Sequence, residues 1–150
     1  MKYISILGEP LKSVFLIDLF ETYDVDVIYE YDRVFEGAED EYRAAIPEIG
    51  LEFIFDASQQ LMTLFMNKVE HSGYNPFEGE DPRSASFSSA KEAMKHAEVN
   101  GIRVEHREAS TDSFLGDIPE WVKFFFVGHS LHYSFNAAGV NKVTLQKQPA

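Results

Sequence analysis

The sequence predicts a single α+β domain spanning residues 1–150. Its expected architecture is an antiparallel sheet of about six to eight strands, meander- or sandwich-like, covered by two or three helices. Three observations carry this. The stretch from Trp121 to Leu145 alternates with period two and is cut at Gly128-His129 and at Ala137-Ala138-Gly139. The segment from Ser89 to Asn100 has the start and stop signals of a helix. The chain has 150 residues, 45% hydrophobic and 14% aromatic, which suits one well-filled core.

The C-terminal stretch reads as three strands, WVKFFFVG, SLHYSF and VNKVTL. Val122, Phe124 and Phe126 fall on one face of the first, with Trp121, Phe125 and Val127 on the other. Leu131, Tyr133 and Phe135 oppose His132 and Ser134, and Val143 and Leu145 alternate with Lys142, Thr144 and Gln146. Alternation rich in aromatic and β-branched residues between glycine turns marks an antiparallel meander. Trp121 reads as a core residue.

From the N-terminus, Pro10 suits the first turn of a helix, and Leu11, Val14, Phe15 and Leu19 follow helical spacing over 10–23. The run VFLI is also compatible with a strand. Residues 25–33 alternate as a strand, with Val25, Val27, Tyr29 and Tyr31 on one side and Asp26, Glu30 and Asp32 on the other. The segment 36–50 reads as a polar loop, with a short helical turn over 39–45. Leu51, Phe53 and Phe55 open a hairpin, Asp56–Gln60 turns it, and LMTLFM returns. This hairpin joins the main sheet or packs against it. Residues 70–87 are rich in Gly, Pro, Ser and Asn and form a crossover loop. Ser89 and Glu92 match a capping box, Ala90, Ala93, Met94 and Ala97 form a small apolar stripe, and Asn100-Gly101 ends the helix. IRVEHREA is a short strand, and 110–120 is a turn-rich approach to Trp121.

The absence of cysteine excludes disulfides, thiolate metal sites and cysteine nucleophiles. No phosphate-cradling glycine loop and no Gly-x-Ser-x-Gly is present. His129 and His132 lack an evident third ligand and read as a turn residue and a sheet-face residue. The acidic loop Glu36–Glu41 lacks the ligand spacing of a calcium loop. No catalytic residue, metal ligand or cofactor is therefore assigned. The N-terminus lacks the long apolar core of a signal peptide, and no run approaches the roughly 18 apolar residues of a membrane span, so a cytoplasmic location is expected.

Charge is the informative property. The net charge is −12. Residues 1–60 hold fourteen acids against four bases, whereas residues 61–150 hold eleven against nine. An acidic field repels nucleic acid and attracts basic partners. Between Asp24 and Glu41, acids interleave with aromatics, a composition suited to a protein interface in which aromatics anchor and acids steer. The candidate partner-binding residues are Asp24, Asp26, Tyr29, Glu30, Tyr31, Asp32, Glu36, Glu39, Asp40 and Glu41.

Five segments, PFEGEDPR at 76–83, KEAMKHAE at 91–98, PEWVKFFF at 119–126, SLHYSF at 130–135 and VTL at 143–145, resemble a family of small bacterial proteins. Some of these are associated with contact-dependent growth inhibition loci as immunity proteins. IPEIGLEFIFD with its return strand LMTLFM matches the layout of the first half. The resemblance implies a cytosolic, non-enzymatic protein that binds and neutralises one cognate toxin domain, often a nuclease, without contacting nucleic acid or membrane. A competing reading is a small-ligand-binding protein or enzyme with a pocket between the aromatic sheet and loop 70–87, where His132 and Glu78 would converge. A third, a scaffold subunit, predicts an exposed apolar patch and a homo-oligomer.

Overall fold

The computed structural model describes residues 2–30, 40–70, 73–79 and 87–149. The helices are α1 (Lys2–Ser5), α2 (Val14–Thr22) and α3 (Ala90–Asn100), with one 3-10 turn at Pro47–Ile49. The strands are β1 (Asp26–Glu30), β2 (Glu41–Ile46), β3 (Leu51–Phe55), β4 (Leu61–Asn67), β5 (Arg103–Arg107), β6 (Ser110–Asp112), β7 (Gly116–Ile118), β8 (Glu120–Phe126), β9 (His129–Asn136) and β10 (Gly139–Lys147). Eight of them form one antiparallel sheet in the order β1-β2-β3-β4-β10-β9-β8-β5, and β6 and β7 form a separate hairpin. The fold is α+β and mostly sheet, as the sequence predicts.

The first four strands run as a meander. After β4 the chain passes through α3 to β5 at the far edge, then returns through β8 and β9 to β10, which closes on β4. The hairpin of β3 and β4 thus joins the main sheet. Its turn is held as expected: the Asp56 carboxylate accepts from the backbone N–H groups of Ser58 and Gln60 at 2.9 and 3.0 Å.

One sheet face carries the core. Phe53, Phe55, Leu64, Val122, Phe124, Leu131, Tyr133, Val143 and Leu145 are fully buried on it. The helices cover this face. Leu16 of α2 is fully buried, Phe20 meets Phe53 edge-on at 5.3 Å, and Ala90, Ala93 and Ala97 of α3 are buried in the same cluster. The alanine stripe lets α3 approach the sheet closely, and Phe87 just before it packs on Phe124 and Tyr133 at 5.8 and 5.2 Å.

The α3 boundaries follow the sequence signals. Ser89 Oγ accepts from the Glu92 N–H at 3.2 Å, and Gly101 closes the helix at φ 63°. The return bond departs from the expected box: the Glu92 carboxylate takes the Ser88 N–H at 3.4 Å. Ser89→Ala leaves the Glu92 N–H without its cap and should cost about 1 kcal/mol in urea unfolding.

Four expectations are corrected. Within the segment 36–50, read as a polar loop with a helical turn at 39–45, Glu41–Ile46 is strand β2, paired on both sides with β1 and β3, and Pro47–Ile49 is the 3-10 turn; 36–39 lie outside the described residues. The N-terminal helix is shorter than 10–23, and a further short helix, α1, precedes it. The turn-rich approach at 110–120 contains the β6–β7 hairpin. Trp121 is half-buried on the sheet face opposite the core, because the helices cover the Phe124 side. Of the strand expected over 25–33, residues 31–33 lie outside the described residues.

Candidate functional site

The acidic end of the molecule is built on β1, the terminal strand of the eight-stranded order. Asp24 and Asp26 are exposed, and Val27 is 61% exposed although it shares the helix-covered side with Ala44, its register partner. Along the ladder Asp26 pairs Ala45, Tyr29 pairs Tyr42, and Glu30 lies directly opposite Glu41. Glu41 approaches Arg43 Nε at 3.4 Å, and the same guanidinium binds Glu52 at 3.1 Å. Asp40 and Glu41 are half-buried. Of the predicted residues, Tyr31, Asp32, Glu36 and Glu39 lie outside the described residues. The acidic field reaches beyond β1: the Tyr74 hydroxyl is pushed above its ordinary range by burial, then by Glu52 and Asp26.

A cleft of about 490 Å³ lies at the start of this strand, on the helix-covered side. Tyr3, Leu19, Tyr23, Ile49 and Phe77 line it, with Glu48 and Glu78 among the polar groups. Tyr3 packs edge-on against Phe15 and Phe77 at 6.1 and 5.8 Å, and burial raises its pKa, with a further rise from Tyr23. The cleft depends on residues 75–77 being docked: Asn75 donates to the Pro47 carbonyl at 2.9 Å and Phe77 to the Asn67 carbonyl at 2.6 Å. Glu78 lines this cleft, whereas His132 sits on the opposite sheet face, so the two do not converge.

The uncovered face is polarised in charge. Its register rows run across the sheet. One joins Arg103, Phe125, Ser130, Gln146, Thr63, Ile54 and Arg43; the next joins Glu105, Lys123, His132, Thr144, Phe65, Glu52, Ala45 and Asp26. The half built from β5, β8, β9 and β10 holds Arg103, Arg107, Lys123 and Lys142 against Glu105 alone. The half built from β1 to β4 holds Asp26, Glu41 and Glu52 against Arg43. Cations lie on rings in the basic half: Arg103 over Phe125 at 4.5 Å, Lys123 over the same ring at 5.2 Å, and Lys142 over Phe65 at 4.4 Å. Among the described residues, none of the four basic side chains is ion-paired. Trp121 packs against His132 at 5.0 Å. Burial lowers the His132 pKa, and Lys123 and Lys142 push it the same way, although its own backbone hydrogen bond opposes this. Sequence alternation identified this face but not its charge pattern, which arises from pairing strands distant in the chain.

No family model, curated protein or solved structure matches the chain.

Two further features bear on function. The β6–β7 hairpin presents Phe114 and Leu115 at 95% and 77% exposure. The Asp112 carboxylate holds this tip by accepting from both backbone N–H groups, at 2.7 and 2.9 Å, and these bonds lower its pKa. Large exposed apolar side chains on a held loop suit an interface anchor. Among the described residues, no three His, Asp or Glu side chains are grouped to hold a metal ion, and no helix is long and apolar enough to cross a membrane.

Proposed function

We propose that the chain is a bacterial immunity protein that binds and neutralises a basic toxin domain, of the nuclease kind, in the cytoplasm. It acts by occupying the toxin surface, with no catalytic step and no cofactor. The observation that carries this reading is the acidic terminal strand: β1 ends the sheet, Asp24 and Asp26 are exposed beside it, and Glu30 faces Glu41 in register. A sheet edge offers backbone donors and acceptors to an incoming strand. The exposed Asp24 and Asp26 carboxylates would attract a cationic partner and speed its encounter. Nuclease domains are basic because their substrate is a polyanion, so an acidic edge is complementary to them.

The test is co-expression with the C-terminal domain of a large surface protein encoded immediately upstream. A stable complex and restored growth are expected. Asp24→Lys with Asp26→Lys should slow association about tenfold or more at low salt, and added salt should slow the unaltered protein as well. Association rates that stay flat across salt would remove the acidic edge from the mechanism. A toxic neighbour that forms no complex would overturn the immunity reading.

A further inference from the structure

The uncovered sheet face poses a physical problem. Its strands carry half-buried Trp121, Phe125, Phe65 and Ile54, and among the described residues no helix covers them. Among the described residues, the basic side chains above them form no ion pair, in a protein with 25 acids and 13 bases. The acids of the same face, Glu105 apart, lie on its other half. The boundary between the halves falls between β10 and β4, the two middle strands of the eight.

We infer that this face is a dimer interface that takes a second copy of the same chain, sheet against sheet. A two-fold axis along β10 and β4 lays the basic half of each copy over the acidic half of the other. In strand order, β9 of one copy then crosses β3 of its partner, which brings His132 toward the partner subunit's Glu52. The β8 and β5 strands, with Lys123 and Arg103, cover the partner's β2 and β1. Along the same row Lys123 lies over the partner subunit's Ala45 and Glu105 over the partner subunit's Asp26, so the surface complements itself in the net charge of its halves, as an isologous interface requires, and not residue by residue. A partner with a uniformly acidic or uniformly basic surface would leave one half repelled.

The area is sufficient for a reversible dimer. Seven spacings of about 4.8 Å across strands of about five residues give a projected face of roughly 550 Å² per copy. The total, about 1,100 Å², lies near the lower bound for specific interfaces, so a concentration- and salt-dependent dimer is expected. Face-to-face sheets at about 10 Å would interleave the aromatic side chains of the two copies. Asp26 belongs to both this interface and the proposed toxin surface, so the dimer is tested on the chain alone, with no toxin present, and its failure leaves the immunity reading standing.

Sedimentation velocity of the full chain alone, at 50 and 500 mM salt, tests the inference. A dimer at micromolar concentrations in low salt, dissociating about tenfold more readily in high salt, is the expected result. Two variants locate the interface. Lys123→Glu with Lys142→Glu leaves Arg103 and Arg107 against three carboxylates and turns the basic half net acidic, and Asp26→Lys with Glu52→Lys leaves Glu41 against Arg43 and two lysines and turns the acidic half net basic. Each should sediment as a monomer by itself, and an equimolar mixture should form a heterodimer. That recovery also shows that both variants are folded. The milder pair Lys123→Gln with Lys142→Gln should weaken the dimer about tenfold if the reversal impairs folding. A chain that remains monomeric at several hundred micromolar in low salt, or a dimer indifferent to all these substitutions, overturns the inference.

Discussion

Phe124→Ala is expected to destabilise the domain by about 3–5 kcal/mol. Phe124 is fully buried in β8, at the point where the sheet meets α3. Its ring packs on Tyr133 at 5.4 Å, Phe87 at 5.8 Å and His96 of α3 at 6.0 Å. Truncation removes the transfer energy of the ring and leaves a cavity that the neighbouring strands cannot close, because their spacing is set by backbone ladders. Two elements loosen together, since the same ring supports both Phe87 and the helix. A chain of this length should lose about 10 °C in Tm. Phe114→Ala is the control: its ring is 95% exposed, and its loss should change stability by less than about 0.5 kcal/mol. Equal effects of the two substitutions in urea unfolding would show that the core is not centred where α3 meets β8.

Gly50→Ala should cost about 3 kcal/mol, far more than a methyl group usually does. Two causes act at one position. Gly50 has φ +72°, in the left-handed region that L-residues enter at a cost of about 1 kcal/mol or more. A Cβ there would also sit 2.3 Å from the Asn75 carbonyl oxygen and 2.8 Å from the Phe77 nitrogen. Both are backbone atoms of the docked segment, so a rotamer change cannot relieve the clash. The segment must move, which breaks its bonds to Pro47 and Asn67 and exposes Phe77, only 6% exposed in the native chain. Burial of a phenylalanine contributes about 2 kcal/mol. Gly101→Ala separates the causes: its φ is +63°, but nothing lies within 4 Å of the added methyl. It should cost only about 1 kcal/mol. Limited proteolysis should cut the Gly50 variant faster around residues 73–79 and leave the Gly101 variant unchanged. If the two variants unfold at the same urea concentration, the 75–77 segment does not contribute to stability as argued.

The contacts around Gly50 explain why the candidate cleft is not legible in the sequence. Gly50 appears there only as the last residue of a polar loop before a hairpin, and Asn75 and Phe77 fall in a stretch without periodicity. Their meeting depends on backbone bonds between Asn75 and Pro47, twenty-eight residues apart. The β2 strand was hidden for a related reason. EYRAAI is rich in residues that favour helix, and it extends because ladders with β1 and β3 use its backbone groups on both sides. The acidic residues at Asp24, Asp26, Glu30 and Glu41 could be read from composition alone, and their place at the end of the sheet could not.

By itself the sequence determined the α+β class, the β8–β9–β10 meander, the α3 helix with both its ends, and the acidity of the first 60 residues. These follow from period, turn chemistry, capping and charge, all local properties. Only the tertiary structure decided which face of the meander is covered, and so placed Phe124 in the core and Trp121 on the open face. It also decided that β10 pairs with β4, which brings an acidic set of strands beside a basic one. Alternation fixes two faces for each strand but carries no information about which face a distant helix will cover, or which distant strand will lie alongside.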